Sequence, residues 1–208
     1  MADVTWPLEL RHGPIGLRPL RARDAAEWNA VRQRNLTWLR RWDATQPPSG
    51  HRSPQSFRSM AREMDRQARQ GRMLPFVVTY SEASDRSKRP IVGQLTVSGI
   101  TYGSAGWASM GYWVDQGYAG RGIIPTAVAM AADYCWFQLG LHRIEVAIRP
   151  ENTASLRVVE KLGFRYEGQR PRYLHIDGDW RDHQVFALNA EEVPQGLMAR
   201  LKTSGFIP

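Results

Sequence analysis

The 208-residue chain carries one cysteine, Cys135. A single thiol cannot form an internal disulfide, so a disulfide-stapled scaffold is excluded, and a cysteine-based metal cluster lacks its ligands. Such usage fits a reducing, cytoplasmic setting. Long apolar runs are missing as well. Nothing approaches the roughly 18 apolar residues of a membrane span, and residues 1–16 hold no apolar stretch like that of a secretory leader. There is no internal repeat, no linker long enough to separate a pair of domains, and no phosphate loop ending in Gly-Lys-Ser/Thr. The length suits one compact domain over 1–208, away from the membrane.

Acidic residues are in deficit. Lys and Arg number 28 against 20 Asp and Glu, a formal charge of +8. Arg18, Arg21, Arg23, Arg32, Arg34, Arg40 and Arg41 crowd the first segment. An excess of this kind attracts polyanions such as nucleic acid, a ribosomal surface, anionic lipid or a phosphorylated cofactor. Charge does not choose among them, and a plain solvated helix face accounts for it equally.

Hydrophobic periodicity predicts a mixed α/β chain. Residues 15–20 alternate as a short edge strand, and Asp24 is placed to cap a helix bearing Ala25, Trp28 and Val31 on one face. After Trp38–Asp43 a Pro- and Gly-containing loop over 45–50 follows. Ser53-Pro54 opens a helix over about 53–70 with Phe57, Met60, Ala61 and Met64 in phase. Strand-like runs cover 74–80, 91–98 and 104–114, with a polar hairpin loop at 81–90. A strong helix follows Gly122, with Ala127, Ala131, Tyr134 and Cys135 on its face and Gly140 as its stop. A strand at 143–148, a helix at 151–161 ended by Gly163, and strands at 165–168 and 180–188 with a turn at 176–179 complete the chain. The order is β-α-α-β-β-β-α-β-α-β-β, a mixed sheet covered by helices. The core is expected over about 15–190, with a peripheral C-terminal tail.

One segment carries chemistry. A strand ending in a glycine turn that feeds a helix N-terminus is an anion site in outline. Glycine permits positive φ and close backbone approach, and the unpaired N–H groups of the first helical turn then face the anion. Gly120-Arg121-Gly122-Ile123-Ile124 before Pro125 has this form, with Arg121 as a cation at the rim and Thr126 as a nearby hydroxyl. A simple strand-to-helix turn, with glycines chosen for geometry, fits those residues equally. The dinucleotide pattern fails because its third glycine is absent.

In context the segment is more specific. Tyr112-Trp113-Val114, followed by Tyr118 to Ile123, resembles the acetyl-CoA motif of the GCN5-related N-acetyltransferase (GNAT) superfamily. That motif is read here over Ala119, Gly120, Arg121, Gly122, Ile123 and Ile124. Ala119 replaces the usual Gln or Arg, and Ile124 replaces a small last residue. Downstream, Asn152, Ser155, Lys161 and Gly163-Phe164 are similar to the Asn-containing helix of the same superfamily. The Tyr173–His183 stretch and Trp38–Asp43 resemble its RimJ/RimL branch, whose members acetylate N-terminal amines of ribosomal proteins. The resemblance spans about Ile15 to Leu188.

It implies an α/β (α+β) fold with a mixed, mostly antiparallel central sheet, splayed middle strands and flanking helices. It implies acetyl-CoA as cosubstrate, no metal, and a cofactor site formed by Tyr112, Trp113, Val114, Ala119 to Ile124, Thr126 and Asn152. Trp42, Asp43, Tyr173 and His175 are the implied acceptor-side residues, although Asn152 is also a natural helix cap. The reaction would be direct attack of a neutral amine on the thioester. Ser155 is the candidate acid for the leaving thiolate, and Asp43 and His175 are the candidate bases. The acceptor is expected to be a protein N-terminus, such as that of a ribosomal protein. A small-molecule amine, such as an amino sugar, nucleotide analogue or antibiotic, is the alternative, as is a non-catalytic CoA-binding module. A monomer or homodimer fits either.

Overall fold

A computed structural model describes residues 5–47, 56–82 and 89–207. Its strands are β1 (Leu10–His12), β2 (Ile15–Pro19), β3 (Leu74–Tyr80), β4 (Ile91–Thr101), β5 (Trp107–Val114), β6 (Arg143–Ile148), β7 (Arg165–Ile176) and β8 (Asp179–Asn189). Its helices are α1 (Ala25–Arg34), α2 (Leu36–Arg40), α3 (Phe57–Arg69), α4 (Ile123–Phe137), α5 (Thr153–Leu162) and α6 (Leu197–Thr203). The eight strands form one sheet in the order β1-β2-β3-β4-β5-β6-β8-β7. Only β5 and β6 run parallel, because α4 carries the chain back across the sheet between them.

Both faces of the sheet are covered. Along β3 the side chains alternate between two cores. Phe76 and Val78 enter the larger cluster, with α4 and α6, while Val77 joins Leu20, Ile91 and Ala61 under α1 and α3. A strand buried on both sides reads as a continuous apolar run, as β3 does. Helix α4 is apolar nearly all round because the sheet, α5 and α6 enclose it. Cys135 lies on this helix with no exposed surface, and burial pushes its thiol pKa up, which leaves it unsuited to nucleophilic work.

Several sequence expectations are corrected. The edge strand is β1, so the run at 15–20 lies one place inward, bonded on both sides. The expected short strands at 165–168 and 180–188 extend into one long hairpin closed at Asp177-Gly178. Helix α3 starts at Phe57, with the Ser56 hydroxyl accepting from Ser59 N at 3.2 Å. Ser53 and Pro54 lie outside the described residues, as do 48–50 of the predicted loop and 83–88 of the predicted hairpin.

The tail is not peripheral. Leu197 and Leu201 of α6 are buried in the main core, and the Asp133 carboxylate accepts the Leu197 and Met198 amides at 2.6 and 3.0 Å. Most of the seven arginines of the first segment are committed to carboxylates and do not form a plain solvated face. Arg18 pairs with Asp24 at 2.8 Å, Arg40 with Asp177 at 3.0 Å, Arg32 with Asp43 and Arg34 with Asp115. The Arg18, Arg34 and Arg40 pairs tie the α1–α2 region to β2, the end of β5 and the β7–β8 turn, while Arg32 ties α1 to the segment after α2.

Glu167 on β7 bears on acid stability. Hydrogen bonding by Arg143 is the largest cause lowering its carboxyl from 4.5 to about 2, with Arg165, 2.7 Å away, adding to it. A carboxyl depressed in the folded state stabilises the fold above its unfolded pKa, and that contribution disappears as pH falls from 4.5 to about 2. The pair is partly solvated, so the effect is small, about 1–2 °C in Tm. Tm measured from pH 6 to 2.5 should fall across this window, and Glu167→Gln should start lower and fall less. Identical acid limbs in the two proteins would remove Glu167 as the cause.

Candidate active site

The site begins where two parallel strands separate. β5 and β6 are paired only at Trp107–Ser109 with Arg143–Glu145. Beyond that, β5 stays with β4 as far as Val114 opposite Gly93, and β6 stays with β8 as far as Ile148 opposite Gln184. The Asp115 amide donates to Val92 O at 2.7 Å, so ladder alternation turns the Tyr112 and Val114 amides towards the gap. Gly93 lets β4 approach closely here, because a Cβ at that position would lie 2.4 Å from the Trp113 carbonyl oxygen.

A cleft of about 940 Å³ occupies this opening. Tyr112, Trp113, Val114, Ala119, Gly120, Gly122, Ile123, Ile124, Asn152 and Ser155 all line it, and so do Trp42 and Asp43. At the end of β5 the buried Asp115 accepts from Arg34 Nε at 2.8 Å and from the Gly117 amide at 3.1 Å. Burial alone would push its carboxyl up, but these bonds hold it below its usual value. They anchor the turn that leads into α4.

That turn has the geometry of an anion cradle. Gly120 and Gly122 have φ of +78° and +74°, and Gly122 is the N-cap of α4. The amides of Gly120 through Ile124 make no hydrogen bond among the described residues. The first amide of α4 with a backbone partner is that of Thr126, which donates to Gly122 O at 3.2 Å. Free N–H groups at a helix start, joined to its dipole, fit a pyrophosphate without any side-chain cation.

Across the gap lies the N-terminal half of α5. Asn152 Oδ1 accepts from the Ser155 amide at 3.1 Å, so Asn152 is the helix cap while its residue also faces the cleft. The Tyr112 hydroxyl donates to the Ser155 carbonyl at 3.5 Å, and burial pushes that phenol's pKa up. The Ser155 hydroxyl makes no hydrogen bond among the described residues.

The acceptor side is built from the segment after α2. The guanidinium groups of Arg41 and Arg149 both lie against the Trp42 ring, at 4.5 and 5.4 Å from its centroid. Arg149 also donates to Arg41 O at 2.7 Å, tying this segment to the end of β6. Asp43 is paired with Arg32, which lies against the Trp28 and Trp113 rings at 5.6 and 5.1 Å. Gln94, Thr96 and Ser98 add a polar row along β4 that the sequence motifs do not reveal. Their period-two spacing is the one local signal that marks them.

Four proposed site residues fall outside the cleft lining. Arg121 bonds Glu82 at 3.1 Å and the Gly117 carbonyl at 3.1 Å, which turns its charge to the outer rim. The Thr126 hydroxyl is committed to Gly122 O at 2.9 Å inside α4. Tyr173 accepts from Arg170 at 3.1 Å on the β7 surface. His175 is buried, its Nδ1 2.7 Å from Thr45 Oγ1, and Thr45 N donates to its carbonyl at 2.9 Å. His175 therefore supports the Trp42–Asp43 segment from behind, outside the cleft lining.

A sheet split beside a glycine turn with unbonded amides is suited to an anionic ligand, and comparison with known proteins gives the class and the family. The acetyltransferase (GNAT) domain model matches residues 15–165, and the chain belongs to the GNAT acetyltransferases, in their RimJ-type branch. The structure of Mycobacterium smegmatis RimJ in complex with CoA-disulfide is 38% identical, with a TM-score of 0.82 over 96% of each chain. The probable N-acetyltransferase YjcK of Bacillus subtilis is 30% identical over 86% of this chain and 96% of its own length. The [ribosomal protein uS5]-alanine N-acetyltransferase of Escherichia coli is 28% identical over 86% of this chain and 90% of its own. The protein is an acetyl-CoA-dependent N-acetyltransferase. Among the described residues, no helix is long and apolar enough to cross a membrane.

Proposed function

We propose that the acceptor is the N-terminal α-amine of a protein chain, a ribosomal protein first among them, acetylated in the cytosol. The observation that carries this reading is the state of the carboxylates lining the cleft. Asp43 is paired with Arg32, and Glu151 with Arg149 at 3.2 Å. Neither is free to act as a strong base or to bind a polycation. An α-amine, with a pKa near ~7.7–8.0, is partly neutral at physiological pH, whereas a lysine near ~10.4 is almost wholly charged. A cleft with its carboxylates committed suits the first amine and not the second. The relatives named for ribosomal-protein acetylation support the same choice.

When bound, acetyl-CoA supplies the activated acetyl thioester. The cradle from Gly120 to Ile124 fits its pyrophosphate, and the Tyr112 and Val114 amides are placed to donate to the acetyl oxygen as negative charge develops there. Trp42 and Asp43 would orient the incoming amine, with water taking its proton. Ser155, on α5 with an uncommitted hydroxyl, would protonate the thiolate.

The test is thiol release from acetyl-CoA with a panel of acceptors: peptides with free Ala, Ser or Met N-termini, Nα-blocked lysine peptides, spermidine and an aminoglycoside. The expected result is turnover confined to free α-amines. Faster turnover of a lysine peptide or a small amine would overturn the assignment.

A further inference from the structure

We propose that Thr96 on β4 recognises the first peptide carbonyl of the acceptor, and that Trp28 and Gln94 set the direction of its hydroxyl. This rests on the acceptor being a protein α-amine.

Trp28 Nε1 lies 2.9 Å from Gln94 Oε1, and Gln94 Nε2 lies 3.2 Å from Thr96 Oγ1. An indole N–H can only donate, so the Gln94 amide turns its oxygen to Trp28 and its NH2 group to Thr96. The Trp28 ring is itself held, edge-on to Trp113 at 6.2 Å and tilted against Phe57 at 5.1 Å. An amide NH2 also only donates, so Thr96 Oγ1 accepts that bond and keeps its own proton. Among the described residues that proton has no acceptor. Thr96 is half-buried and lines the cleft, so the proton is offered to whatever the cleft holds.

Its place in the sheet sets what that is. Thr96 stands opposite Gly111 across the β4–β5 ladder, one residue before Tyr112, whose amide turns to the strand gap. A Cβ on Gly111 would meet nothing within 4 Å, so open space lies beside Thr96 on this side. The hydroxyl is then about one strand spacing, ~5 Å, from the β5 backbone beside which the amine attacks. In an α-amine acceptor the first carbonyl oxygen lies only about 3–4 Å from the nitrogen. A lysine amine is separated from its backbone carbonyl by the whole methylene stem, and a polyamine has no carbonyl. A hydroxyl donor here reads the group that sets an N-terminus apart from those amines.

Steady-state kinetics with two acceptors test the assignment: a peptide with a free Ala N-terminus, and the same peptide with sulfur, a poor acceptor, in place of its first carbonyl oxygen. The parent should acetylate the sulfur peptide with kcat/KM about fivefold lower. Thr96→Val, which keeps the shape without the hydroxyl, should slow the oxygen peptide about fivefold and bring the two within about twofold. Thr96→Ser should restore the preference for oxygen. Gln94→Glu keeps the hydroxyl but redirects it: a carboxylate only accepts, so Thr96 would donate to it and the preference should vanish. A merely structural role for either residue would leave this ratio unmoved. Equal kcat/KM for both peptides in the parent would overturn the assignment, as would a preference that survives Thr96→Val or Gln94→Glu, or one that Thr96→Ser fails to restore. If the parent acetylates neither peptide, the α-amine reading itself fails and this proposal falls with it.

Discussion

Gly120→Asp is expected to weaken acetyl-CoA binding by at least roughly 30-fold while leaving the fold intact. Gly120 contributes one of the unbonded amides of the cradle, and an added Cβ there meets nothing within 4 Å. The substitution therefore introduces a charge without a collision. Its φ of +78° strains most side chains, but aspartate tolerates the left-handed region better than others, at about 1 kcal/mol. In a chain of this size that lowers Tm by about 2–4 °C. A carboxylate about 4 Å from a pyrophosphate costs at least ~1 kcal/mol for each of two charges even in bulk water, and several times that in a partly desolvated cleft. The loss is then at least roughly 30-fold in Kd. Gly122→Asp is a poorer probe, since its Cβ would strike Phe206 at 3.0 Å and confound charge with tail displacement. Calorimetry with acetyl-CoA, paired with a melting curve, checks the result. Unchanged affinity in a folded Gly120→Asp protein would remove the pyrophosphate from this turn.

Ser155→Ala should lower kcat by about 10²-fold, the lower part of the range for a positioned proton donor, with acetyl-CoA affinity within about twofold of the parent. The two effects separate because the Ser155 amide, not its hydroxyl, bonds Asn152, so alanine keeps the start of α5. Tyr112 is a rival donor, since its hydroxyl also lies against α5. Its proton is directed to the Ser155 carbonyl, so Tyr112→Phe should cost less than about fivefold in kcat. Single-turnover acetyl transfer with each variant distinguishes them. A larger loss in Tyr112→Phe than in Ser155→Ala would move the acid role to the phenol.

The split of the fold into legible and hidden regions follows distance along the chain. The bounds expected for β3 and β6 match those observed, because a short apolar run between turn residues records local burial. The glycine turn, the α4 helix behind it and the Asn152 cap were legible for the same reason, since each depends on backbone conformations within a few residues. Tyr173 and His175 misled because an aromatic and an imidazole beside a turn look alike whether they face substrate or support a neighbour. What decided between the two was Thr45, 130 positions away, which takes up the imidazole of His175.

Local chemistry along the chain thus determined the strand–turn–helix with its unbonded amides, the helix that follows it, and the family to which both belong. Tertiary structure alone decided which side chains reach the cleft. Arg121 sits inside the motif and Thr126 just after it, yet they spend their polar groups on Glu82 and the Gly122 carbonyl. Phe206, in a tail with no motif, reaches the cradle because Asp133 and the buried Leu197 and Leu201 dock α6 against α4. Whether a polar group is available to a ligand depends on what else can satisfy it, and those competitors come from distant stretches of the chain.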